Sequence, residues 1–478
     1  MAYNLVLVGT GFASSFFLKK YLEKSKDDVK VLVLERGKFI PHKQRLEKAA
    51  ATPLGRVGYV SGGEGQGPLF INNNKDKAWI FDPSFGGSSN CWTGCTPRFM
   101  PNDFRMKTKY GVGIDWPIQY DEIEPYYCET EDIMSISGPS ATPYPMSKPY
   151  PQPAHQLSTA DKVLQKTYGD MYISQPTARS SVHGKRNKCC TSAVCHLCPV
   201  SAKFTIENGL GDIYKDPRVE VRYECQVLRF ETTNDSIQSV VFTNNGKEEK
   251  ITAEVFGLGA NAIFNAHVLL NSGDTSAATG KYLSEQIGYY CYVYLDKLSN
   301  VGGSSIITAN GFMLYDNVDR SKMAACIIES HNDIFLRSEY GKWRDIMKLK
   351  FVFEDIPQVD NVVKLSDKTG VPVADYKSHS DYVKNGYENL KKNIDSLLSP
   401  LPVENIFLDE NPQVSEAHIL GTTRMSDDAN DGVVDKQLKH HRYRNLFVLG
   451  GSVFPTITPG NPTLTLSALS LYAADKNF

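Results

Sequence analysis

The sequence lacks an excess of charge of either sign and lacks any long apolar run. Its 52 Lys and Arg residues against 54 Asp and Glu residues give a formal net charge of −2. Neither nucleic acid nor an anionic membrane surface is therefore an expected partner. No stretch of about 18 or more apolar residues is present, so no membrane span is expected. A protein that acts on small molecules fits this composition best.

The N-terminal region also lacks the pattern of a secretory signal. The first charged residue is Lys19, no basic segment precedes the apolar run, and Gly9-Thr10-Gly11 interrupts it. We interpret residues 1–18 as the first strand and turn of a folded domain. The expected location is cytoplasmic, with export alongside a signal-bearing partner as the alternative.

Cysteine is sparse, because ten residues in 478 are too few for a disulfide scaffold. Four of the ten nevertheless fall within ten residues of one another. Structural or redox-sensitive thiols and a zinc site are alternatives for this group, although vicinal cysteines fit the usual zinc spacing poorly. The four are Cys189, Cys190, Cys195 and Cys198.

The first 35 residues carry the pattern of a strand–turn–helix–strand unit. An apolar run at Leu5–Val8 ends in Gly9-Thr10-Gly11-Phe12-Ala13-Ser14, and a helical pattern to about Lys24 precedes a second run at Val29–Leu34. The glycines allow a tight turn and a close approach to a pyrophosphate at the helix N-terminus. Glu35, 26 residues after Gly9, is placed to bind ribose hydroxyls. This predicts FAD or NAD rather than NADP.

The remaining chain alternates between strand-rich and irregular stretches. Residues 50–110 are rich in Gly and Asn and are expected to wrap a ligand, whereas the proline-rich segment 140–160 is expected to be an extended connector. Residues 300–376 indicate an antiparallel sheet, and a charged helix is expected at 380–398. Further predicted strands and helices are Val219–Tyr223, Ile237–Phe242, Val255–Leu258, Met347–Phe353, Asn361–Leu365, Leu446–Leu449 and the C-terminal helix Thr463–Ala474.

Several sequence blocks, in order along the whole chain, resemble those of the glucose–methanol–choline (GMC) oxidoreductases, in particular the sugar-oxidising branch that includes pyranose oxidase and FAD-dependent sugar dehydrogenases. Together these blocks are far more specific than the glycine motif alone. They are Asp82–Trp92, Asp115–Tyr127, Val255–Ser272, His418–Thr422, Asn445–Pro455 and Asn461–Thr465.

The resemblance implies an α/β + β architecture, the GMC fold. A Rossmann-like FAD-binding domain would comprise residues 1–110, 200–298 and 412–478. A substrate domain built on an antiparallel sheet would comprise residues 111–199 and 299–411, with the cysteine segment at 189–198.

The resemblance also assigns residues to FAD. Since no His lies between Trp79 and Tyr110, where many relatives attach their flavin, noncovalent FAD is expected. Chain near Gly450 would approach the pyrophosphate, and the start of the last helix would face the flavin pyrimidine ring. The predicted cofactor-binding residues are Gly9, Gly11, Phe12, Ala13, Ser14, Glu35, Arg36, Gly87, Ser88, Asn90, Cys91, Trp92, Gly259, Gly451, Ser452, Pro462 and Thr463.

The resemblance further implies an activity, the oxidation of a secondary alcohol of a sugar or sugar-like polyol by hydride transfer to flavin N5. His418 would be the base, because its ordinary pKa suits proton removal near neutral pH. Asn461 would hydrogen-bond the same oxygen and stabilise the developing alkoxide.

The sequence leaves open which acceptor takes the electrons from the flavin. In certain bacterial sugar dehydrogenases of the family a similar Cys-Cys…Cys segment ligates a [3Fe–4S] cluster, which here implies Cys189, Cys190 and Cys195 as ligands and a redox partner protein or small accessory subunit. One rival is an oxidase that reduces O2 to hydrogen peroxide with structural cysteines. A second is a non-redox hydroxynitrile-lyase-like flavoprotein, and a NAD-dependent dehydrogenase is the weakest alternative.

Overall fold

The structure is a computed structural model that describes residues 3–51, 69–333, 335–367 and 370–478. Within these residues the helices are α1 Phe12–Lys24, α2 His42–Ala50, α3 Met106–Tyr110, α4 Tyr120–Met134, α5 Thr159–Tyr168, α6 Ile206–Gly209, α7 Asn261–Asn271, α8 Asp381–Leu398 and α9 Thr463–Asn477. The strands are β1 Tyr3–Val8, β2 Val31–Leu34, β3 Ile71–Asn72, β4 Ser137–Gly138, β5 Gln152–Pro153, β6 Tyr172–Ser174, β7 Val219–Arg222, β8 Cys225–Thr232, β9 Ile237–Asn244, β10 Lys247–Leu258, β11 Ile287–Leu295, β12 Ile307–Gly311, β13 Cys326–His331, β14 Ile346–Phe353, β15 Val362–Lys364, β16 Val373–Asp375, β17 Val403–Leu408 and β18 Leu446–Val448.

The first sheet has seven strands in the order β7-β2-β1-β10-β9-β8, with β18 also pairing with β10. Strands β7, β2, β1, β10 and β18 are parallel, and Leu5 lies opposite both Val31 and Val255. The N-terminal half of β10 turns away into an antiparallel ribbon with β9 and β8. Helices α1 and α9 pack together against this sheet, and Phe16, Phe17 and Leu469 lie in its core. Parallel strands need helices on their faces, and these apolar helices supply them.

The second sheet has six strands in the order β17-β11-β14-β13-β12-β6, and all its pairs are antiparallel. Its strands alternate between two faces, as in the Tyr292-Val293-Tyr294 and Lys348-Leu349-Lys350 segments. One face is apolar and packs on α8, where Val383, Leu390 and Ile394 are buried. The other face is polar and is open to a cavity between the two sheets.

The predicted strands and helices are present, with end points shifted by a few residues at most sites. The largest difference is β10, which begins at Lys247 rather than Val255 because its first half pairs in the antiparallel ribbon. Part of the predicted ligand-wrapping segment 50–110 lies outside the described residues, at 52–68. The domain boundaries given above stay a prediction. None of the helices in the described ranges is long and apolar enough to cross a membrane.

Candidate active site

One cavity of about 570 Å³ runs from the turn after β1 to the polar face of the second sheet. This is within the usual range for a small-molecule or cofactor site. At one end it is lined by Gly9, Gly11 and Glu35, and at the other by His418 and Asn461. The described chain therefore brings the predicted dinucleotide turn and the two predicted catalytic side chains to a single cavity.

The turn after β1 is shaped for the close approach of a ligand. Gly9 has a φ of +86°, and a Cβ atom there would lie 2.6 Å from the carbonyl oxygen of Gly259. A Cβ atom on Gly11 would meet no described atom within 4 Å, because it would point into the cavity. The first backbone N–H groups of α1 follow directly, and such a helix terminus favours an anion. These features fit a pyrophosphate.

Glu35 is buried at the end of β2 and anchors the same turn. Its carboxylate accepts hydrogen bonds from the Thr10 amide at 3.0 Å, the Thr10 hydroxyl at 2.5 Å and the Gly37 amide at 2.8 Å. Burial raises the pKa of Glu35 in spite of these bonds. The side chain lines the cavity, which is consistent with the predicted ribose contact.

The segment predicted to be the flavin loop folds over the glycine turn. The Gly86 amide donates to the Thr10 hydroxyl at 2.9 Å, and a 3₁₀ turn follows at Gly87–Asn90. A Cβ atom on Gly87 would lie 3.1 Å from the α-carbon of Gly11, so only glycine allows this approach. A buried ion pair between Arg45 and Asp82, at 3.0 Å, fixes the beginning of this loop.

His418 is presented to the cavity by a short loop that a buried carboxylate holds in place. Ala417 has a φ of +61°, a conformation that non-glycine residues seldom adopt and that is often found at functional sites. Glu285, itself paired with Lys77, accepts hydrogen bonds from the Ser415 hydroxyl at 2.9 Å and from the His418 amide at 2.8 Å. The His418 ring nitrogen Nδ1 lies 2.5 Å from Gln286 Oε1.

The charge state of His418 follows from its surroundings. Burial lowers its pKa to about 4, and the nearby Lys350 and Lys77 act in the same direction, whereas Glu329 opposes them. The imidazole is therefore neutral at neutral pH, which is the state a general base requires.

Asn461 lies just before α9 and contacts a carboxylate of the second sheet. Its Nδ2 atom donates to Glu329 Oε1 at 3.2 Å. Its Oδ1 atom is buried and has no hydrogen-bond partner among the described residues. Buried amide groups seldom stay unpaired, so this atom is a contact point for a ligand in the cavity.

The wall of the cavity that was not predicted from the sequence is formed by the polar face of the second sheet. Tyr290, Lys350 and Glu329 lie directly opposite one another on β11, β14 and β13. Lys350 forms a buried ion pair with Glu416, and the Glu329 carboxylate lies 3.4 Å from His331 Nε2. All five side chains line the cavity. The alternation of Lys348-Leu349-Lys350 was a signal in the sequence, because residues two apart share a face.

The pKa values of the side chains in this wall depend on their burial and on the charged groups beside them. Burial raises the pKa of Glu416 to about 7 although Lys350 opposes the shift. Burial alone would raise the pKa of Glu329 too, but the hydrogen bond and charge of His331 and the charge of Lys350 lower it overall. Burial lowers the pKa of His331. Glu329 is thus the carboxylate that stays ionised beside Asn461.

The cysteine segment lies close to the flavin loop. Cys190 is exposed, Cys189 is half-buried and donates to the Ser304 carbonyl at 3.0 Å, and Cys195 is buried. No three His, Cys, Asp or Glu residues in the described ranges are arranged to hold a metal ion. The buried Lys203 ammonium links the two segments, since it donates to the carbonyl oxygens of Asn90, Trp92 and His196 at 2.8–3.1 Å.

The predicted cofactor residues divide into two groups. Three of them lie behind the cavity wall and form hydrogen bonds within the protein. Ser14 donates to the Val8 carbonyl, Asn90 donates to the Phe85 carbonyl, and Ser452 accepts from the Asn265 amide. Those that line the cavity are Gly9, Gly11, Phe12, Ala13, Glu35, Arg36, Gly87, Ser88, Cys91, Trp92, Gly259, Gly451, Pro462 and Thr463.

Comparisons with known proteins agree with this geometry. Residues 357–470 match the family model described as GMC oxidoreductase. This C-terminal part of the chain belongs to the GMC oxidoreductases. It is 27% identical to the fructose dehydrogenase large subunit of Gluconobacter japonicus over 82% of this chain and 79% of that protein. It is 24% identical to the 2-methyl-1,2-propanediol dehydrogenase of Mycolicibacterium austroafricanum over 84% of this chain and 85% of that protein.

A solved structure extends the likeness to the whole fold. Pyridoxine 4-oxidase from Mesorbium loti superposes with a TM-score of 0.68 at 15% identity and covers 99% of both chains. The predicted GMC fold is thereby confirmed. The family match and these relatives support an FAD-dependent oxidoreductase of the group that acts on sugars or alcohols. The glycine turn, the flavin loop and the start of α9 are the parts of the chain that would hold FAD.

Proposed function

We propose that this GMC oxidoreductase oxidises a secondary alcohol of an uncharged sugar or sugar-like polyol, with His418 as the base. The observation that carries the proposal is that His418 and Asn461 line the same cavity as the glycine turn. A base and a hydrogen-bonding amide at the end of a flavin site are the groups that alcohol oxidation needs.

His418 takes the hydroxyl proton. Because its pKa is about 4, the ring enters the reaction neutral and can accept that proton. FAD, when bound, supplies the acceptor for the hydride that leaves the same carbon. The alcohol thus loses one proton and one hydride and becomes a ketone.

Asn461 supports the substrate oxygen while Glu329 orients its amide. Glu329 is ionised and can only accept a hydrogen bond, so the Asn461 nitrogen must point toward it. An amide nitrogen carries two hydrogens, and the second is available to an alkoxide. The unpartnered Asn461 Oδ1 is available to a neighbouring hydroxyl group.

The substrate class follows from the charge and the acceptors of the polar wall. Glu329 is ionised, Lys350 is already paired with Glu416, and Glu416 Oε1 and Asn461 Oδ1 have no partner among the described residues. Several acceptors without a free cation suit a molecule with many hydroxyl donors and no negative charge. A sugar acid would place its carboxylate beside Glu329.

The experiment is anaerobic reduction of the bound FAD by a panel of compounds. The panel contains neutral sugars and polyols, the matching sugar acids and simple aliphatic alcohols. Bleaching of the flavin by neutral polyols with the highest kcat/KM supports the proposal. Preference for the acids would contradict it, and turnover of a substrate without any flavin bleaching would favour the lyase alternative.

The electron acceptor is a separate part of the proposal. An iron–sulfur cluster on Cys189, Cys190 and Cys195 is supported by the position of this segment against the flavin loop and by the proximity of Cys189 to Cys195, whose charge contributes to its raised pKa. The exposure of Cys190 does not fit a ligand, so we derive no electron-transfer step through a cluster. The fructose dehydrogenase relative is named as a large subunit, which supports an accessory subunit as partner.

Two measurements on the anaerobically purified protein separate the candidates. Stoichiometric iron and sulfide that are lost in Cys190→Ser would support the cluster and a partner protein. Hydrogen peroxide formed in air at the rate of substrate oxidation, without bound iron, would support the oxidase. Ser192→Ala, an exposed neighbour in the same loop, is the matched control.

A further inference from the structure

Gln286 connects the two catalytic segments. It is 1% exposed and immediately precedes β11. Its Nε2 atom donates to the backbone carbonyl oxygens of Thr458, Pro459 and Gly460 at 2.8, 3.1 and 2.7 Å, in the turn just before Asn461. Its Oε1 atom faces His418 Nδ1 at 2.5 Å. A single side chain therefore contacts both the base and the turn that carries its partner.

The orientation of this amide is fixed by chemistry. Carbonyl oxygens only accept hydrogen bonds, so three of them around one end of the Gln286 amide require the nitrogen there. The oxygen must then point to His418. Since an amide oxygen cannot donate, His418 Nδ1 must carry the hydrogen of the bond, and the lone pair of the neutral ring is on Nε2.

The second nitrogen is free to act. No hydrogen bond from a described residue reaches His418 Nε2, and the ring lines the cavity. The amide of His418 and the Ser415 hydroxyl are held separately by Glu285, which fixes the backbone of the loop but leaves the ring tautomer to Gln286.

We propose that Gln286 is a positioning residue that sets the tautomer of His418, so that Nε2 is the basic atom facing the substrate. Through its contacts with the turn before Asn461, it also fixes the position of this base relative to Asn461. The inference rests on the proposed role of His418. It assigns Gln286 a function that is distinct from packing, because an apolar side chain of the same size would fill its space but would leave Nδ1 without an acceptor.

The charged groups around His418 are Glu329 and Lys350 from the second sheet, Glu416 from its own loop, and the Glu285–Lys77 pair. The only group bonded to the ring itself, among the described residues, is the neutral Gln286. A carboxylate in its place would favour the imidazolium ion and raise the pKa of His418.

The first measurement is the tautomer itself, read by NMR of the protein labelled with ¹⁵N-histidine. The signal of His418 among the ten histidines is assigned from its loss in His418→Ala. We expect the hydrogen on Nδ1 in both the FAD-loaded protein and the apoprotein. A hydrogen on Nε2 in the wild-type protein would overturn the inference, and this holds even if a variant fails to fold.

The second measurement compares Gln286→Met, Gln286→Glu and the control Gln358→Glu. Gln358 is half-buried, and among the described residues its side chain is bonded only to the Ile356 carbonyl. The Met variant, which has no acceptor, should lose the Nδ1 hydrogen and slow flavin reduction at least about 10-fold. The Glu variant should keep the Nδ1 hydrogen and reduce flavin faster than the Met variant. Because the carboxylate raises the pKa of His418, the acidic limb of its pH profile should move to higher pH.

The outcomes separate this inference from the proposed function. If Gln286→Met kept the wild-type tautomer and rate, the role of Gln286 would be overturned. If His418→Ala were slow in the same experiment, the role of His418 as the base would still stand. A His418→Ala variant with the wild-type rate would instead remove the base itself.

Discussion

The two ends of the cavity differ in how their residues are brought together. At the predicted FAD end, the glycine turn and Glu35 come from one continuous strand–turn–helix–strand unit, whose backbone would form most of the contacts to the pyrophosphate. At the substrate end, three side chains come from three different strands of the second sheet and lie together because of how these strands pair. They are Tyr290, Lys350 and Glu329. Function at the first end depends on local backbone shape, and at the second end on cross-strand pairing of charged side chains.

The largest expected effect tests the FAD end. A Cβ atom on Gly11 would meet no described atom within 4 Å, so Gly11→Val should fold but should lose its FAD completely by steric exclusion of the pyrophosphate. The measurement is flavin absorbance of the purified protein together with its circular dichroism. Gly184→Val, an exposed glycine with the same open surroundings, is the control. A yellow Gly11→Val protein would show that the turn does not bind the pyrophosphate.

The next effect tests the substrate end. Glu329→Gln keeps the shape of the side chain but removes the charge that accepts from Asn461 Nδ2 and that we propose accepts from the substrate. The change should lower kcat/KM for a neutral polyol roughly 10- to 100-fold, the usual value of a hydrogen bond to a charged group. FAD content should stay unchanged. Glu388→Gln on the exposed side of α8 is the control. Equal kinetics for Glu329→Gln and wild type would exclude Glu329 from the substrate site.

A smaller effect is expected from pH. His418 must be neutral to accept a proton, and burial first, with Lys350 and Lys77, holds its pKa at about 4. The loss of flavin reduction that is due to protonation of the base should therefore appear only as the pH approaches 4, whereas a change near pH 7 would belong to Glu416, whose pKa burial raises to about 7. The measurement is anaerobic stopped-flow reduction over this range, with flavin fluorescence to confirm that FAD stays bound. A midpoint near the ordinary histidine value of about 6.5 would contradict the burial of the base.

The FAD end was largely predictable from the sequence, and the reason is local. The strand before Gly9, the turn and the helix after it occupy adjacent positions in the chain, so periodicity and glycine placement were sufficient to predict them. Ser14 at the third glycine position has a local contact, since its hydroxyl donates to the Val8 carbonyl, but the space for it is left by Gly259, which is distant in the sequence.

The substrate end was predictable only in part. The segments carrying His418 and Asn461 were identified by their resemblance to a family, but Gln286 and Glu329 were not identified. The strand at Met347–Phe353 was predicted, yet only its pairing shows that Lys350 lies opposite Glu329. Register between distant strands is set by the folded sheet, and a one-residue shift would exchange the polar and apolar faces. The ligands proposed at Cys189, Cys190 and Cys195 stay a prediction.

The most direct test of the central claim, that the two ends meet at a base in one cavity, is the rate at which a neutral polyol reduces FAD in His418→Ala. The account predicts a variant that keeps its FAD and its fold but reduces the flavin on the order of 10²-fold or more slowly than wild type, with the loss in the maximal rate rather than in substrate affinity. A variant that bleaches its flavin at the wild-type rate would contradict the account, because the proton would then leave by another group.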